Sequence, residues 1–108
     1  MYEYKATLLR VIDGDTIHLD VDLGIDIHVH LTIRLAGIDA PEMGTPAGQA
    51  AKDWLINRLG SKTVYVDTVK DRKEKYGRYL GWISTDADPR APYVNQEMVV
   101  AGHAVERK

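Results

Sequence analysis

Apolar and polar residues alternate along Tyr4 to Val11, again along Thr16 to Val21 and again along Ile25 to Leu35. This is the period-2 signature of strands that bury one face. Asp13-Gly14 separates the first two runs and Asp22-Leu23-Gly24 the next two. Asp-Gly supplies the positive backbone angles that tight hairpins need, so the three strands are predicted to pair as a meander. Downstream the period changes. From Pro46 to Leu59 the apolar positions Ala47, Ala50, Ala51, Trp54, Leu55 and Leu59 recur at helical spacing. Thr45 reads as the N-cap, Pro46 as a proline at the first helical position and Gly60 as the C-cap of that helix. Ser61 to Val69 predicts a fourth strand, Asp71 to Arg78 a polar loop and Tyr79 to Ser84 a fifth strand. A short helix is predicted from Tyr93 to Ala101, ended by Gly102.

Five short strands with a helix after the third predict a mainly β fold with helices (α+β). The architecture expected is a small five-stranded Greek-key barrel of the oligonucleotide/oligosaccharide-binding type, closed at one end by helices. At 108 residues the chain has room for one core, so one domain over residues 1–108 is expected. The formal net charge of −2 gives no general attraction to nucleic acid, and any binding of a polyanion must be local. There is no cysteine, which removes disulfides and thiolate chemistry. Arg10 and Asp13 interrupt the N-terminal apolar run before it reaches the length of a signal peptide. That places the protein inside the cell if Met1 is the native start, and leaves a secreted parent open if the chain is a mature fragment. No apolar stretch approaches the roughly 18 residues of a membrane-spanning helix.

Charged groups gather near the predicted strand ends. Asp15 follows the Asp-Gly turn, Arg34 lies in the third strand, Asp39 and Glu42 flank Pro41 just beyond it, and Arg78 opens the fifth strand. Pro41 has no N–H for a central strand, so the chain must turn there and display its two acids. If the first turn lies beside the end of the third strand, Asp15 and Asp39 face each other, which is costly unless a cation joins them. Oxygen ligands suit calcium or magnesium better than zinc. Arginines beside a hard cation are the parts that bind a phosphodiester, and Glu42 is left to orient or deprotonate an attacking water. Taken singly, each feature is ordinary: Asp-Gly makes hairpins, an arginine pairs across a sheet, and Asp71 to Arg78 suits a solvated loop. His28 and His30, two apart on one strand face with Asp26 and Thr32, read as solvated surface rather than metal ligands.

Val11–Thr16 (VIDGDT), Arg34–Glu42 (RLAGIDAPE) and Lys75–Arg78 (KYGR), in this order and at these separations, closely resemble the staphylococcal nuclease (thermonuclease) family. The resemblance covers about Ala6 to Ala104. It implies a calcium-dependent phosphodiesterase acting on DNA and RNA, preferably single-stranded, and leaving 3′-phosphate ends. It further implies Asp15, Asp39 and the Ala40 carbonyl as ligands of Ca2+, and Arg34, Glu42 and Arg78 as the catalytic trio. Lys75 and Tyr76 would contact a substrate phosphate. Ala40 departs from the threonine of the staphylococcal enzyme, the loop after Glu42 is shorter, and the family's third helix has no counterpart after Gly102. An apolar patch near Met98 and Val99 is therefore expected to be covered by the C-terminal tail or by self-association, giving a monomer or a weak homo-oligomer. The rival reading is a catalytically idle barrel that binds nucleic acid or peptide; retention of the whole trio favours the nuclease.

Overall fold

The computed structural model describes residues 2–60, 63–73, 78–88 and 90–107. In chain order the elements are β1 (Tyr2–Asp13), β2 (Thr16–Asp22), β3 (His28–Leu35), β4 (Ile38–Asp39), α1 (Pro46–Leu59), β5 (Thr63–Lys73), β6 (Tyr79–Ser84), α2 (Val94–Val100) and β7 (Val105–Glu106). The five long strands close into a barrel in the order β1-β2-β3-β6-β5, with β5 returning to β1. All of these pairs are antiparallel except β3 with β6, which run parallel and pair Ile33 with Tyr79, Arg34 with Leu80 and Leu35 with Gly81. The alternation read from the sequence is realised along most of β2, where Ile17, Leu19 and Val21 are buried and His18, Asp20 and Asp22 are not; at the end of β3 Ile33 and Leu35 enter the core, and Arg34 between them is covered as well. The fold is thus the mainly β, five-stranded barrel with helices that the pattern predicts.

The third strand is shorter than its alternation suggests. Residues 23–27 form a turn in which Gly24, Ile25 and Asp26 all have positive φ. The Leu23 N–H donates to the Ile27 carbonyl and the Ile27 N–H to the Gly24 carbonyl, both at 2.9 Å, while Asp22 Oδ1 accepts from the Gly24 N–H at 2.7 Å. These local bonds take the backbone groups that a longer ladder would need, so β3 begins at His28 and leaves Ile25 95% exposed. At the Asp13-Gly14 turn the reason for glycine also differs from the one expected. Gly14 is not among the residues with positive φ. Its contribution is space, because a Cβ there would lie 2.8 Å from the Ala40 Cβ and 2.9 Å from the Ala51 Cβ. The backbone of β5 continues as strand through Lys73, which pairs with Tyr79, so the residues 71–73 read as loop belong to the sheet.

Helix α1 starts and stops where its capping residues predict. Thr45 Oγ1 accepts from the Gly48 N–H at 3.0 Å, and the Gly60 N–H closes on the Ile56 carbonyl at 2.8 Å. Such a cap stabilises a helix by about 1 kcal/mol. The buried stripe is Gly48, Ala51, Leu55 and Leu59; Ala47 and Ala50 face outward, and Trp54 is only half-buried. Helix α2 runs from Val94 to Val100 between Tyr93 and Ala101. Its Asn95 is fully buried and satisfied on every side: it accepts from the Ile83 N–H and donates to the carbonyls of Ala36 and Gly81. Met98 is in the core rather than on an exposed patch. Beyond Gly102 the chain turns back, β7 pairs with β4, and the Arg107 N–H donates to the Gly37 carbonyl at 2.8 Å. The tail therefore packs against β4 and the turn at Gly37. Among the described residues no helix is long and apolar enough to cross a membrane.

Candidate active site

The arginine of β3 sits where three elements meet. Thr16 is its partner on β2 and Leu80 its partner on β6, so the side chain emerges from the barrel surface at the end where β3 gives way to a turn. The turn at Ala36 and Gly37 carries the chain into β4. Gly37, with φ of 76°, lies beneath the Trp82 ring, which a Cβ would approach to 2.8 Å. Asp39 thereby swings over Arg34. One guanidinium nitrogen, NH2, pairs with Asp39 Oδ1 and lies 3.5 Å from Asp15 Oδ2, while NH1 donates to the Leu35 carbonyl at 3.3 Å. Arg34 is only 5% exposed, so its charge is compensated from two sides. Asp15 is fixed in turn by its own backbone, whose carbonyl accepts from the Leu35 N–H at 2.8 Å, and by the Ala40 N–H, which donates to Oδ2 at 3.1 Å. The two acids expected to face each other are brought together through Arg34.

Arg78 approaches from the start of β6. Its NH1 lies 3.4 Å from Thr16 Oγ1, and that hydroxyl donates to Asp15 Oδ1 at 3.2 Å. Both arginines are therefore connected to one carboxylate, Arg34 directly and Arg78 through Thr16. Nothing in the residue pattern singles out Thr16 beyond its place in the motif Val11–Thr16. Arg107 is equally unmarked, yet its NH1 lies 3.7 Å from Asp39 Oδ1. Glu42 is exposed, and among the described residues no hydrogen bond or ion pair joins its side chain to this cluster. Its backbone is nonetheless held: the carbonyl accepts from Thr45 Oγ1 at 2.7 Å, and Gly48 of α1 packs directly against the same peptide. Lys75 and Tyr76 lie outside the described residues.

Burial and the neighbouring Asp13 carboxyl raise the pKa of Asp15 above the ordinary aspartate value, against the Ala40 N–H and Arg34, which favour the charged form. An acid so placed gains from any added positive charge. Among the described residues no three His, Asp or Glu side chains gather into a metal cage. The groups that do converge on Arg34, the Asp15 and Asp39 carboxylates, are hard oxygen donors, and the Ala40 peptide lies beside them. They fit a calcium-like cation that completes its shell with water. His28 Nδ1 and His30 Nε2 lie 3.3 and 3.9 Å from Asp20 Oδ1, on the outer face away from this site.

The sequence profile of the family described as staphylococcal nuclease homologue matches residues 32–108, well over half of the chain. A protein of Escherichia coli named as an uncharacterized endonuclease is 37% identical over 102 residues, covering 94% of this chain and 60% of the relative. Endonuclease YhcR of Bacillus subtilis is 36% identical over 117 aligned positions, covering 94% of this chain and 9% of the relative. A thermonuclease of Staphylococcus intermedius is 40% identical over 80 residues, covering 68% and 45%. The chain spans less than two thirds of the length of each.

Proposed function

We propose that this chain, which belongs to the staphylococcal nuclease family, hydrolyses phosphodiester bonds of DNA and RNA, preferring single strands, at the end of β3 with calcium as its cation. One observation carries the reading: Arg34 is ion-paired with both Asp15 and Asp39, while Arg78 reaches the same acid through Thr16. The nuclease names of its relatives support a nucleic acid as the substrate.

Asp15, Asp39 and the Ala40 carbonyl hold the cation, which when bound supplies charge neutralisation of the phosphate and polarisation of the attacking water. Arg34 and Arg78 donate to the non-bridging phosphate oxygens and stabilise the charge that grows as phosphorus becomes five-coordinate. Arg34 is already preorganised by its two acids, so it adds little reorganisation at the moment of reaction. Glu42, exposed at the rim, orients the water and accepts its proton. The 5′ oxygen leaves, and the product carries a 3′-phosphate. Lys75 and Tyr76 hold a neighbouring phosphate.

Cleavage of single-stranded DNA and of RNA, measured with calcium and then with excess chelator, tests the proposal. Both substrates should be cut only when calcium is present, and Glu42→Gln should reduce turnover by on the order of 10²-fold or more without loss of fold. Retained binding with no cleavage by the wild type would instead make the chain a binding module.

A further inference from the structure

We propose that Thr16 is a positioning residue that keeps Arg78 and Asp15 from pairing directly, leaving the Asp15 carboxylate for the cation. The proposal rests on the nuclease reading and deepens it. Thr16 is 2% exposed and stands opposite Arg34 across the β2–β3 pair. Its hydroxyl is placed between opposite charges: it donates to Asp15 Oδ1 at 3.2 Å and accepts from Arg78 NH1 at 3.4 Å.

A carboxylate can only accept and a guanidinium can only donate, whereas a hydroxyl has one proton and free lone pairs. The single proton goes to the acid, which leaves only acceptor capacity toward the arginine. The hydroxyl therefore bonds both charged groups and holds them apart. Arg34 illustrates the alternative: with no hydroxyl in between, its NH2 lies against both Asp15 and Asp39. A second arginine drawn onto Asp15 would compete with a cation for the same oxygens. Valine has the shape of threonine without the hydroxyl. In Thr16→Val, Asp15 loses a donor, Arg78 loses an acceptor, and their attraction at short range in a partly buried site draws them together.

Calcium titration calorimetry on the folded proteins, beside steady-state cleavage of single-stranded DNA, decides it. Thr16→Val should weaken calcium binding and lower kcat by about 10–100-fold, the range seen when groups that orient metal ligands are removed. Thr16→Ser, which keeps the hydroxyl, should bind calcium within about threefold of wild type. The diagnostic variant is Thr16→Val combined with Arg78→Ala: removing the competing arginine should restore calcium affinity, which a loss of packing alone would not do. Wild-type affinity in Thr16→Val, or no recovery in the double variant, overturns the proposal. A wild type that binds calcium and shows this pattern yet does not cleave supports the Thr16 role while removing the nuclease reading. A wild type that binds no calcium overturns the role itself.

Discussion

Gly48→Ala should separate activity from stability, because it acts on the peptide that carries Glu42. A Cβ at Gly48 would lie 2.6 Å from the Glu42 carbonyl carbon and 3.1 Å from the Met43 nitrogen, with the Glu42 oxygen closer still. Ordinary contact begins at 3.4 Å, so the Glu42 carbonyl carbon must retreat by at least about 0.8 Å and its oxygen, which is closer, by more. The same movement strains the bond from Thr45 Oγ1 to the Glu42 carbonyl, which sits at 2.7 Å in the cap of α1. Overpacking of this kind costs about 1–3 kcal/mol, and alanine recovers about 1 kcal/mol over glycine in a helix, so the net loss is about 0–2 kcal/mol. The catalytic effect should be larger. Misplacing a group by nearly 1 Å can cost on the order of 10²-fold, about 2.7 kcal/mol of barrier. Urea melts give the stability, and kcat at 25 °C with saturating calcium gives the activity of the folded fraction. A variant whose activity falls no further than its folded fraction would refute the idea that Gly48 sets the position of Glu42.

Asp15→Asn should raise stability in chelator by about 0.5–2 kcal/mol, as relief of a strained functional residue often does. The sign agrees with the raised pKa: the native state binds the Asp15 proton more tightly than the unfolded chain, so this group's contribution is present at low pH and is lost as pH rises from 3.8 through the raised value. Calcium should reverse the ranking, since wild type gains about 2.7 kcal/mol at a hundred times its dissociation constant and a variant lacking a ligand gains less; equal calcium-induced shifts in the denaturant midpoint would exclude Asp15 as a ligand. Arg78→Lys should lower turnover by on the order of 10²-fold, because lysine keeps the charge without the planar fork; near-complete activity would reduce Arg78 to general positive charge. The Tyr93 hydroxyl donates to Asp67, which with burial pushes its pKa up to about 12. Its contribution to stability is present below pH 10 and lost as pH rises toward 12, so absorbance at 295 nm should show a late tyrosine phase that Tyr93→Phe removes; an unchanged late phase in that variant would refute the assignment.

The parts of this molecule that are readable from sequence are those governed by local chemistry. The limits of α1 come from Thr45, Pro46 and Gly60, and β6 comes from the run Tyr79 to Ser84 between polar segments. Elements defined by a distant partner are not readable in this way. The two-residue strands β4 and β7 exist because Ile38 and Asp39 meet Val105 and Glu106 across most of the chain. Gly14 lies in the turn its sequence announces, but the need for glycine there is one of space, which depends on Ala40 and Ala51 being nearby. For the site, the charged residues of the motifs are visible, and Asp15, Arg34 and Asp39 do meet. The hydroxyl of Thr16 and the ion pair of Arg107 are invisible, since neither residue type nor spacing marks a group whose role comes from the atoms opposite it.

The parallel seam between β3 and β6 joins Arg34 to Leu80 and brings the segment beginning at Arg78 beside the first hairpin. Closing so long a loop forfeits chain entropy before any contact across the seam returns it, which makes such pairings late events in folding. A chain still emerging from the ribosome can form the β1–β3 meander, with Asp15 and the first arginine in place, but it lacks the second arginine, the strand that presents it, and β7, the partner of the short strand that carries Asp39. The ring must shut before the cluster is complete, so the chemistry of this barrel begins only when its folding ends.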